Sequence, residues 1–491
     1  MSWSAHSRPD LRNAGSCPNA LATGETLAAT MRYQNCVLRT ATTALKLQKN
    51  AVKIQKQDKV SLELHVNIML LRFAVANSLS IRDEVELSFL AAPLKERSEQ
   101  VIPSKYSKHG VLPVVALYGA NASGKSNLLA ALALFRSMVL RSFKESDGEP
   151  ELPHRPFLLD DESKDKESSF VLDFVMEESR YQYGVVYGAK RVEEEWLYAF
   201  PSKIKQVLFS RNAKEAEEYY FGRNFHGKNR QIQSITRPHV LFLSAAATSG
   251  HPLLAKISSF FEESLVIRMA SSTTNPDSLA RSLEKDSTIG KDVVRYLSLA
   301  DTGIADFRIA TQKMPDEMKV ELKELFAVIN KLNASSGKTA SPDQAELKNL
   351  ELGHTSADGK IRYIDFGNES LGTRHLLTIL PPVLNALRKG STLVLDEITT
   401  SLHTLLAQKL VGVFQDRELN PQGAQLVFST HDTNLLAPGI LRRDEIWFAE
   451  KSTAGVSIFF PLTDIETKNT DNIERGYVQG RFGAIPFVRF D

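Results

Sequence analysis

Residues 119–126 have the composition and spacing of a loop that binds phosphate groups. They read GANASGKS and fit the pattern G-x-x-x-x-G-K-[ST]. An apolar run at 111–118 precedes them, and a helix-compatible run at 127–140 follows. In this context the backbone N–H groups and the helix N-terminus hold phosphates, and Lys125 and Ser126 complete the site. The residues expected to contact a nucleotide here are Gly119, Ala120, Asn121, Ala122, Ser123, Gly124, Lys125, Ser126 and Asn127.

A second segment, residues 391–397, reads STLVLDE and supplies the acidic groups that such a loop needs. It predicts a buried strand that ends in two carboxylates, the Walker B pattern of an ATPase. Ser126 is expected to bind Mg²⁺ directly and Asp396 through water, while Glu397 orients and activates the attacking water. The predicted cofactors are therefore ATP and Mg²⁺. The alternative is a buried strand followed by an Asp-Glu pair that only starts a helix.

Two further elements complete a plausible hydrolytic site. Residues 426–431 read LVFSTH, a strand that ends in His431, which is placed to reach the γ-phosphate. A lone histidine at a strand end is usually structural, but its position after the Walker B strand favours a sensor. Upstream, residues 369–374 read ESLGTR and open a helix-compatible run, in which Pro381 and Pro382 should kink or interrupt the helix. Ser370 is also an ordinary N-cap residue, which is the structural alternative.

Taken in order, these segments resemble the ABC-type ATPases of bacterial phage-defence operons, the RloA-like and PARIS AriA-like group. The opening MLLRFAVANSLSIRDEVELSF, the run DEITTSLHTLLAQKLVGVF and the loop STHDTNLL carry the likeness, and the tail from LRRDEIWF to GYVQGRFGAIPFV is its least generic part. A more distant resemblance is to the SMC and recombination-repair heads and to the N-terminal halves of OLD-family nucleases. Two departures from the wider ABC pattern are Ser401-Leu402-His403 after Walker B and the lack of a convincing glutamine loop, since Gln182 lies in a strand-like alternation.

The resemblance implies an ATP-hydrolysing subunit that forms homo-oligomers through its ATPase heads. Ser370 and Gly372 would then be a variant ABC signature that contacts nucleotide on the opposite protomer. The resemblance further implies an effector protein in trans, such as a Toprim-type nuclease, and a phage-protein trigger. The 60 residues after His431 are too few for the fused Toprim domain of OLD proteins, so we expect any nuclease to act in trans. The alternatives are an SMC-like ATPase that acts directly on DNA and a nucleotide-gated scaffold that barely hydrolyses.

Composition is consistent with a cytoplasmic protein. No apolar run approaches the ~18 residues of a membrane helix, and the two cysteines, Cys17 and Cys36, provide no disulfide framework. Residues 1–68 carry 9 Lys and Arg against 4 Asp and Glu, whereas the remaining 423 residues carry 51 against 54. Three interpretations of the basic extension stay open: a nucleic-acid-binding arm, a targeting leader, or upstream sequence from a wrong start, with Met69 as the expected beginning. The near-neutral remainder does not imply direct DNA binding.

The expected fold class is α/β, an ABC-ATPase head with a mixed sheet, an antiparallel lobe and an inserted, mainly helical subdomain. We divide the chain into the extension 1–68, a first lobe at 69–250, a helical assembly insertion with a mobile loop at 251–350, and a second lobe at 351–491. The mobile loop is expected over 334–360. The acidic run at 193–195 is expected to be solvated, and the basic, aromatic-containing stretch 203–228 could contact nucleic acid or a phage protein.

Overall fold

A computed structural model describes residues 68–144, 151–201, 204–270, 275–300, 302–312, 347–468 and 470–485, together with position 324. The expected extension 1–68 therefore lies outside the described residues except for Ile68, which begins the first strand. The sequence also predicts a helix over 316–332, which lies outside the described residues except for position 324. Within the described residues, no helix is both long enough and apolar enough to cross a membrane.

A seven-stranded antiparallel sheet fills the first part of the described chain. Its strands, in the spatial order β2-β1-β4-β5-β6-β7-β8, are β1 (Ile68–Ala76), β2 (Val85–Ser88), β4 (Ser168–Met176), β5 (Ser179–Tyr187), β6 (Val192–Phe200), β7 (Gln206–Asn212) and β8 (Tyr219–Phe221). The alternation at 168–199 forms strands β4 to β6, as predicted. Gln182 pairs with Asp173 inside this sheet, which confirms that it is a sheet residue.

A six-stranded mixed sheet forms the second layer. Its strands, in the order β16-β15-β3-β14-β13-β9, are β3 (Val114–Gly119), β9 (Leu265–Arg268), β13 (Thr392–Leu395), β14 (Gln425–Ser429), β15 (Ile446–Lys451) and β16 (Ser457–Pro461). All neighbours are parallel except β15 and β16. Every residue of β3, β13 and β14 is buried, as expected for parallel strands that are covered on both faces. The α/β class with a mixed and an antiparallel sheet is confirmed.

Nine α-helices accompany these sheets in the described residues. They are α1 (Lys125–Arg141), α2 (Asn229–Ile235), α3 (Phe242–Thr248), α4 (Pro252–Ser259), α5 (Pro276–Lys285), α6 (Ser287–Leu299), α7 (Leu371–Lys389), α8 (Thr404–Gln415) and α9 (Ile473–Val478). Helix α7 runs without interruption through Pro381 and Pro382, so the predicted interruption does not occur. An internal proline costs about 3 kcal/mol, but α7 buries Leu376, Leu380 and Leu384 in the core. Burial of each such side chain contributes about 1.5–3 kcal/mol.

The segment predicted as a helical insertion is mixed in the structure. Helices α4, α5 and α6 are present, but β9 ends the mixed sheet beside β13. A further three-stranded antiparallel sheet has the order β10-β11-β12, with β10 (Ile304–Gln312), β11 (Leu347–Thr355) and β12 (Ile361–Asp365). The prediction of a mobile loop over 334–360 is therefore wrong at 347–355, where the chain forms β11. Pairing on both sides outweighs the low strand propensity of its Lys, Asn, Glu and Gly residues.

The two larger sheets are joined by one buried amide. The Gln425 side chain on β14 accepts the Leu70 N–H at 2.6 Å and donates to the Leu70 carbonyl at 3.0 Å and the Leu112 carbonyl at 3.2 Å. Its donors and its acceptor are thus used inside the core, which fixes β1 against the mixed sheet.

Glu195 does not follow the prediction of a solvated acidic run. Its side chain is fully buried and accepts the Tyr183 hydroxyl and the N–H groups of Phe242 and Leu243 at the start of α3. Its burial raises its pKa. A helix N-terminus offers unpaired N–H groups to a carboxylate. The packing of α3 over the sheet therefore buries Glu195, although the run as a whole was expected to be solvated.

Candidate functional site

The loop at 119–126 joins β3 to α1 and presents backbone N–H groups at a helix N-terminus. Gly124 is the N-cap of α1 at φ 108°, and no side chain caps this end. Ala122 has φ 61° although it is not glycine. The uncapped first-turn N–H groups and this unusual backbone are the features of an anion-binding loop.

Both glycines of the loop lie tightly against the C-terminal strands. A Cβ on Gly119 would collide with the Ala449 carbonyl on β15, and one on Gly124 would collide with the Ser457 hydroxyl on β16. Asn127 donates to Ser80 Oγ at 2.7 Å, and Ser80 Oγ lies 2.7 Å from Ser457 Oγ. The tail strands therefore form the support on which the phosphate loop rests, and Ser80 and Ser457 are site neighbours that sequence analysis missed.

Lys125 is almost fully buried beneath the loop. Its ammonium donates to the Gly119 carbonyl at 2.9 Å and the Ala120 carbonyl at 3.1 Å. Burial lowers the pKa of Lys125, whereas the negative charges of Glu397 and Asp396 act to raise it. A cation is thus held among acidic groups at the place where nucleotide phosphates would lie.

Ser126 and Asp396 meet although they lie 270 positions apart in the chain. Ser126 Oγ donates to Asp396 Oδ1 at 3.0 Å, and Ser429 Oγ donates to the same oxygen at 2.7 Å. The Glu397 N–H in turn donates to Ser429 Oγ at 2.8 Å. Ser429 was not among the predicted site residues. Its signal in the sequence is a hydroxyl at the end of the strand that pairs with the Walker B strand.

Glu397 and His431 also lie within contact distance. Glu397 Oε1 is 3.0 Å from His431 Nε2, and Lys125 Nζ is 3.3 Å from the same nitrogen. A neutral histidine that carries its proton on Nε2 can donate to Glu397, and one that carries it on Nδ1 can accept from Lys125. Glu397 has φ 58°, a conformation that costs free energy and is concentrated at functional sites. One cluster thus contains Lys125, Glu397 and His431, which were predicted from separate motifs.

Ser370 and Gly372 lie apart from this cluster, at the start of α7. Ser370 Oγ accepts the Thr373 N–H at 3.1 Å, so the N-cap interpretation is confirmed. A Cβ on Gly372 would lie 2.6 Å from the Ser401 carbonyl, and Ser401 has φ 60°. Next to Gly372, Leu371 is 66% exposed. No hydrogen bond among the described residues connects Ser370 to the phosphate loop.

The residues that follow β9 lie close to Asp396. Strand β9 is the neighbour of β13 on the side away from β14, and the chain that leaves it begins Met269-Ala270-Ser271. This segment has no glutamine before Asn275, and the Ala270 N–H lies 3.5 Å from Asp396 Oδ2.

The donor set suits a nucleoside triphosphate with Mg²⁺. A hydroxyl and a carboxylate are hard oxygen ligands of the kind that Mg²⁺ takes together with phosphate and water. Ser123 Oγ is buried in the loop with no hydrogen-bond partner among the described residues. Ser126 and Asp396 would hold the metal, while Lys125 and the loop N–H groups would hold phosphates.

The solved structures that resemble this chain include three SMC heads, each of which matches 81% of it. They are an SMC head bound to the C-winged helix domain of ScpA (11% identity, TM-score 0.39, 99% of that chain), the SMC head domain of Thermotoga maritima (12%, 0.35, 99%), and an SMC head with an extended coiled coil bound to the C-terminal domain of ScpA from Pyrococcus furiosus (13%, 0.36, 97%). Likenesses at these scores carry no functional argument. No curated protein matches the chain.

One protein-family model matches this chain. It is described as "AAA domain, putative AbiEii toxin, Type IV TA system" and matches residues 114–437, more than half of the chain. The matched range begins at β3 and includes the phosphate loop, Asp396, Glu397 and His431. The chain therefore belongs to this family of AAA-domain P-loop ATPases.

Proposed function

We propose that this protein binds and hydrolyses ATP with Mg²⁺. The observation that carries the proposal is the convergence of Lys125, Ser126, Asp396, Glu397 and His431 at the carboxyl ends of the adjacent strands β3, β14 and β13. In open α/β sheets this edge is where ligands bind. Family membership supports the same activity.

Each residue has a role that follows from its chemistry. Lys125 and the loop N–H groups stabilise negative charge on the phosphates. Ser126 and Asp396 orient the metal, which when bound neutralises charge on the phosphate oxygens. Glu397 accepts a proton from the attacking water, and the contact of Glu397 with His431 holds its carboxylate in place. His431, close to Lys125 as well, is positioned to respond to the γ-phosphate.

Two copies are proposed to enclose the nucleotide between one phosphate loop and the Ser370–Gly372 segment of the other copy. Ser370 and Leu371 are exposed at the N-terminus of α7. Leu405, at the start of α8, is also 62% exposed. Exposed leucines at the starts of these two helices are available for contact with a second copy.

The finer proposal is a sensor and assembly subunit of an anti-phage system of the RloA-like or PARIS AriA-like type. Its toxic activity would come from an effector in trans, such as a Toprim-type nuclease, released or activated after a phage-protein trigger. The sequence likeness supports this assignment, and the family description names a toxin of a type IV toxin–antitoxin system.

The ATPase proposal is tested by comparing turnover in the wild type, Glu397→Gln and a matched control, Glu418→Gln, whose side chain is exposed. Loss of the general base should lower turnover about 100-fold or more while ATP still binds. The control should match the wild type. Equal turnover in wild type and Glu397→Gln would overturn the mechanism, and turnover at the detection limit in both would favour a scaffold.

The effector proposal needs a different measurement. The Glu397→Gln variant is purified from its host in ATP, and co-purifying proteins are identified and counted by mass spectrometry. A second protein at fixed stoichiometry supports an effector in trans. Self-association with bound DNA, and affinity that falls steeply with salt, would instead favour an SMC-like ATPase that acts on DNA.

A further inference from the structure

A cavity of about 490 Å³ lies at the free edge of the mixed sheet, beside its last strand β9. Helices α1, α5 and α7 provide its other walls. Its volume lies within the range of small-molecule sites, about 300–1,000 Å³. The phosphate-loop residues and Glu397 do not line it.

The lining combines an apolar floor with a few polar groups. Ile267, Leu279, Ile379 and Pro382 contribute apolar surface, whereas Ser278, Ser282 and Thr378 contribute hydroxyls. Such a mixture is typical of sites for organic ligands, in which a few polar groups fix the orientation.

Two arginines and one carboxylate, Asp396, are the charged residues that line the cavity. Arg136 is held by hydrogen bonds from its guanidinium to the carbonyls of Phe261 at 2.7 Å and Glu262 at 2.9 Å. Arg268 is exposed, and its side chain has no hydrogen bond or ion pair with any described residue. Burial lowers the pKa of Arg136 and the charge of Arg268 acts in the same direction, whereas the carboxylate of Glu262 acts to raise it. An anion that contacts both guanidinium groups would accept hydrogen bonds from N–H groups that no described residue engages.

The cavity also borders two segments of the proposed catalytic machinery, the Walker B segment and helix α7. Asp396 and Ile398 of the Walker B segment line one wall, and His375 and Thr378 of α7 line another. Helix α7 begins immediately after Ser370. Asp396 directs Oδ1 to the hydroxyls of Ser126 and Ser429, so this oxygen is engaged toward the phosphate loop. His375 Nε2 is buried without a partner among the described residues, and its burial lowers its pKa.

We propose that this cavity is a second ligand site, which binds a small phosphate monoester with an apolar or ring-bearing group. Arg136 and Arg268 hold the phosphate, the apolar floor packs against the organic part, and the exposed Ser278 and Ser282 of α5 line the cavity. Because the ligand contacts both α7 and the Walker B segment, its occupancy changes ATP turnover. This site is additional to the ATP site of the proposed function.

The test uses the full chain with its phosphate loop saturated by AMP-PNP and Mg²⁺, and isothermal titration with AMP and with inorganic phosphate. AMP should bind saturably at millimolar concentration or below, and inorganic phosphate more weakly. Arg268→Gln should weaken AMP binding about 10-fold, since it removes a charge-assisted hydrogen bond. Ser278→Trp adds a large side chain to the lining and should abolish AMP binding, whereas Arg295→Gln, at an exposed position on α6 outside the cavity, should leave binding unchanged.

Each contrary result overturns a defined part of the proposal. Absence of saturable AMP binding rejects the site, and equal affinity in wild type and Arg268→Gln rejects its location. Equal affinity for AMP and inorganic phosphate rejects the organic part of the ligand. In a separate turnover assay, AMP should change ATP hydrolysis by the wild type and not by Ser278→Trp, and an unchanged wild-type rate rejects the coupling. The titration does not require hydrolysis and rests on the proposed function only in that AMP-PNP must occupy the phosphate loop. AMP-PNP binding is measured first, and its failure would count against the proposed function rather than against the second site.

Discussion

The hydroxyl of Ser429 lies 2.7 Å from Asp396 Oδ1 and also accepts the Glu397 N–H at 2.8 Å. It is fully buried at the end of β14, the strand that pairs in parallel with β13. One side chain thus orients the proposed metal ligand and the backbone of the proposed general base.

We expect Ser429→Ala to raise the Mg²⁺ concentration needed for half-maximal ATP turnover about 10-fold, because Asp396 loses a charge-assisted hydrogen bond worth about 1.5–3 kcal/mol. The matched control is Thr392→Val, which removes a buried hydroxyl at the opposite end of β13. Both changes should lower the free energy of unfolding, but the control should leave the Mg²⁺ titration as in the wild type. Identical titrations for the two variants would contradict the assigned role.

His431→Ala should lower ATP turnover about 100-fold with little loss of ATP binding, because Glu397 loses the contact that orients its carboxylate. Turnover and nucleotide affinity are measured separately on the same preparation. His109→Ala, at an exposed position before β3, is the control and should behave as the wild type. A change confined to ATP affinity would show that His431 serves binding only.

Gly372→Ala should weaken ATP-dependent self-association about 10-fold or more, since the new methyl group would lie 2.6 Å from the Ser401 carbonyl and displace the start of α7. Gly412→Ala on α8 has open space around the added methyl group. It should retain self-association and gain up to about 1 kcal/mol of helix stability. Sedimentation of each variant in the Glu397→Gln background, with ATP, measures the difference. Normal association of Gly372→Ala would exclude this segment from the interface.

The buried Glu445 predicts a specific pH dependence of stability. Its burial raises its pKa to about 8 and the like charge of Asp444 acts in the same direction, whereas hydrogen bonds from the Arg442 backbone N–H and the Gln415 amide act to lower it. The folded state therefore keeps the proton to higher pH than the unfolded chain. The contribution of this group to stability is present below the unfolded pKa, about 4.3, and is lost as pH rises toward 8.

The side chain introduced by Glu445→Gln cannot ionise, so the variant should not lose this contribution to stability as pH rises. The free energy of unfolding of the variant, relative to that of the wild type, should therefore increase between pH 5 and pH 8 in urea denaturation. Glu418→Gln, at an exposed position, should show no such trend. A constant difference between Glu445→Gln and the wild type across this range would show that Glu445 is ionised in the folded protein throughout.

The elements with strong local patterns were predictable from the sequence. The phosphate loop lies between β3 and α1, and the alternating strands β4 to β6 lie where alternation indicated them. The strands that end in Asp396 and His431 were recognisable because they are continuous apolar runs followed by polar groups. The Lys125, Glu397 and His431 cluster was predictable only as separate motifs.

Other elements depended on distant parts of the chain. Strand β9 follows directly from the helical segment α4 and a short π-helix, and β11 has little strand propensity. Both are strands because neighbouring strands satisfy their backbone hydrogen bonds. Glu195 is buried because the start of α3 packs over it, which no pattern within 193–195 indicates.

The sequence by itself thus determined the chemical groups of the site. This was possible because a phosphate loop and a buried strand each restrict which residue types can occur within a short segment. Tertiary structure alone decided which of these groups touch. It brought Ser429 to Asp396, the tail strands to the phosphate loop, and two arginines to one cavity beside β9. The reason is physical: parallel strand order and helix packing place residues hundreds of positions apart within hydrogen-bond distance, and no local periodicity records that order.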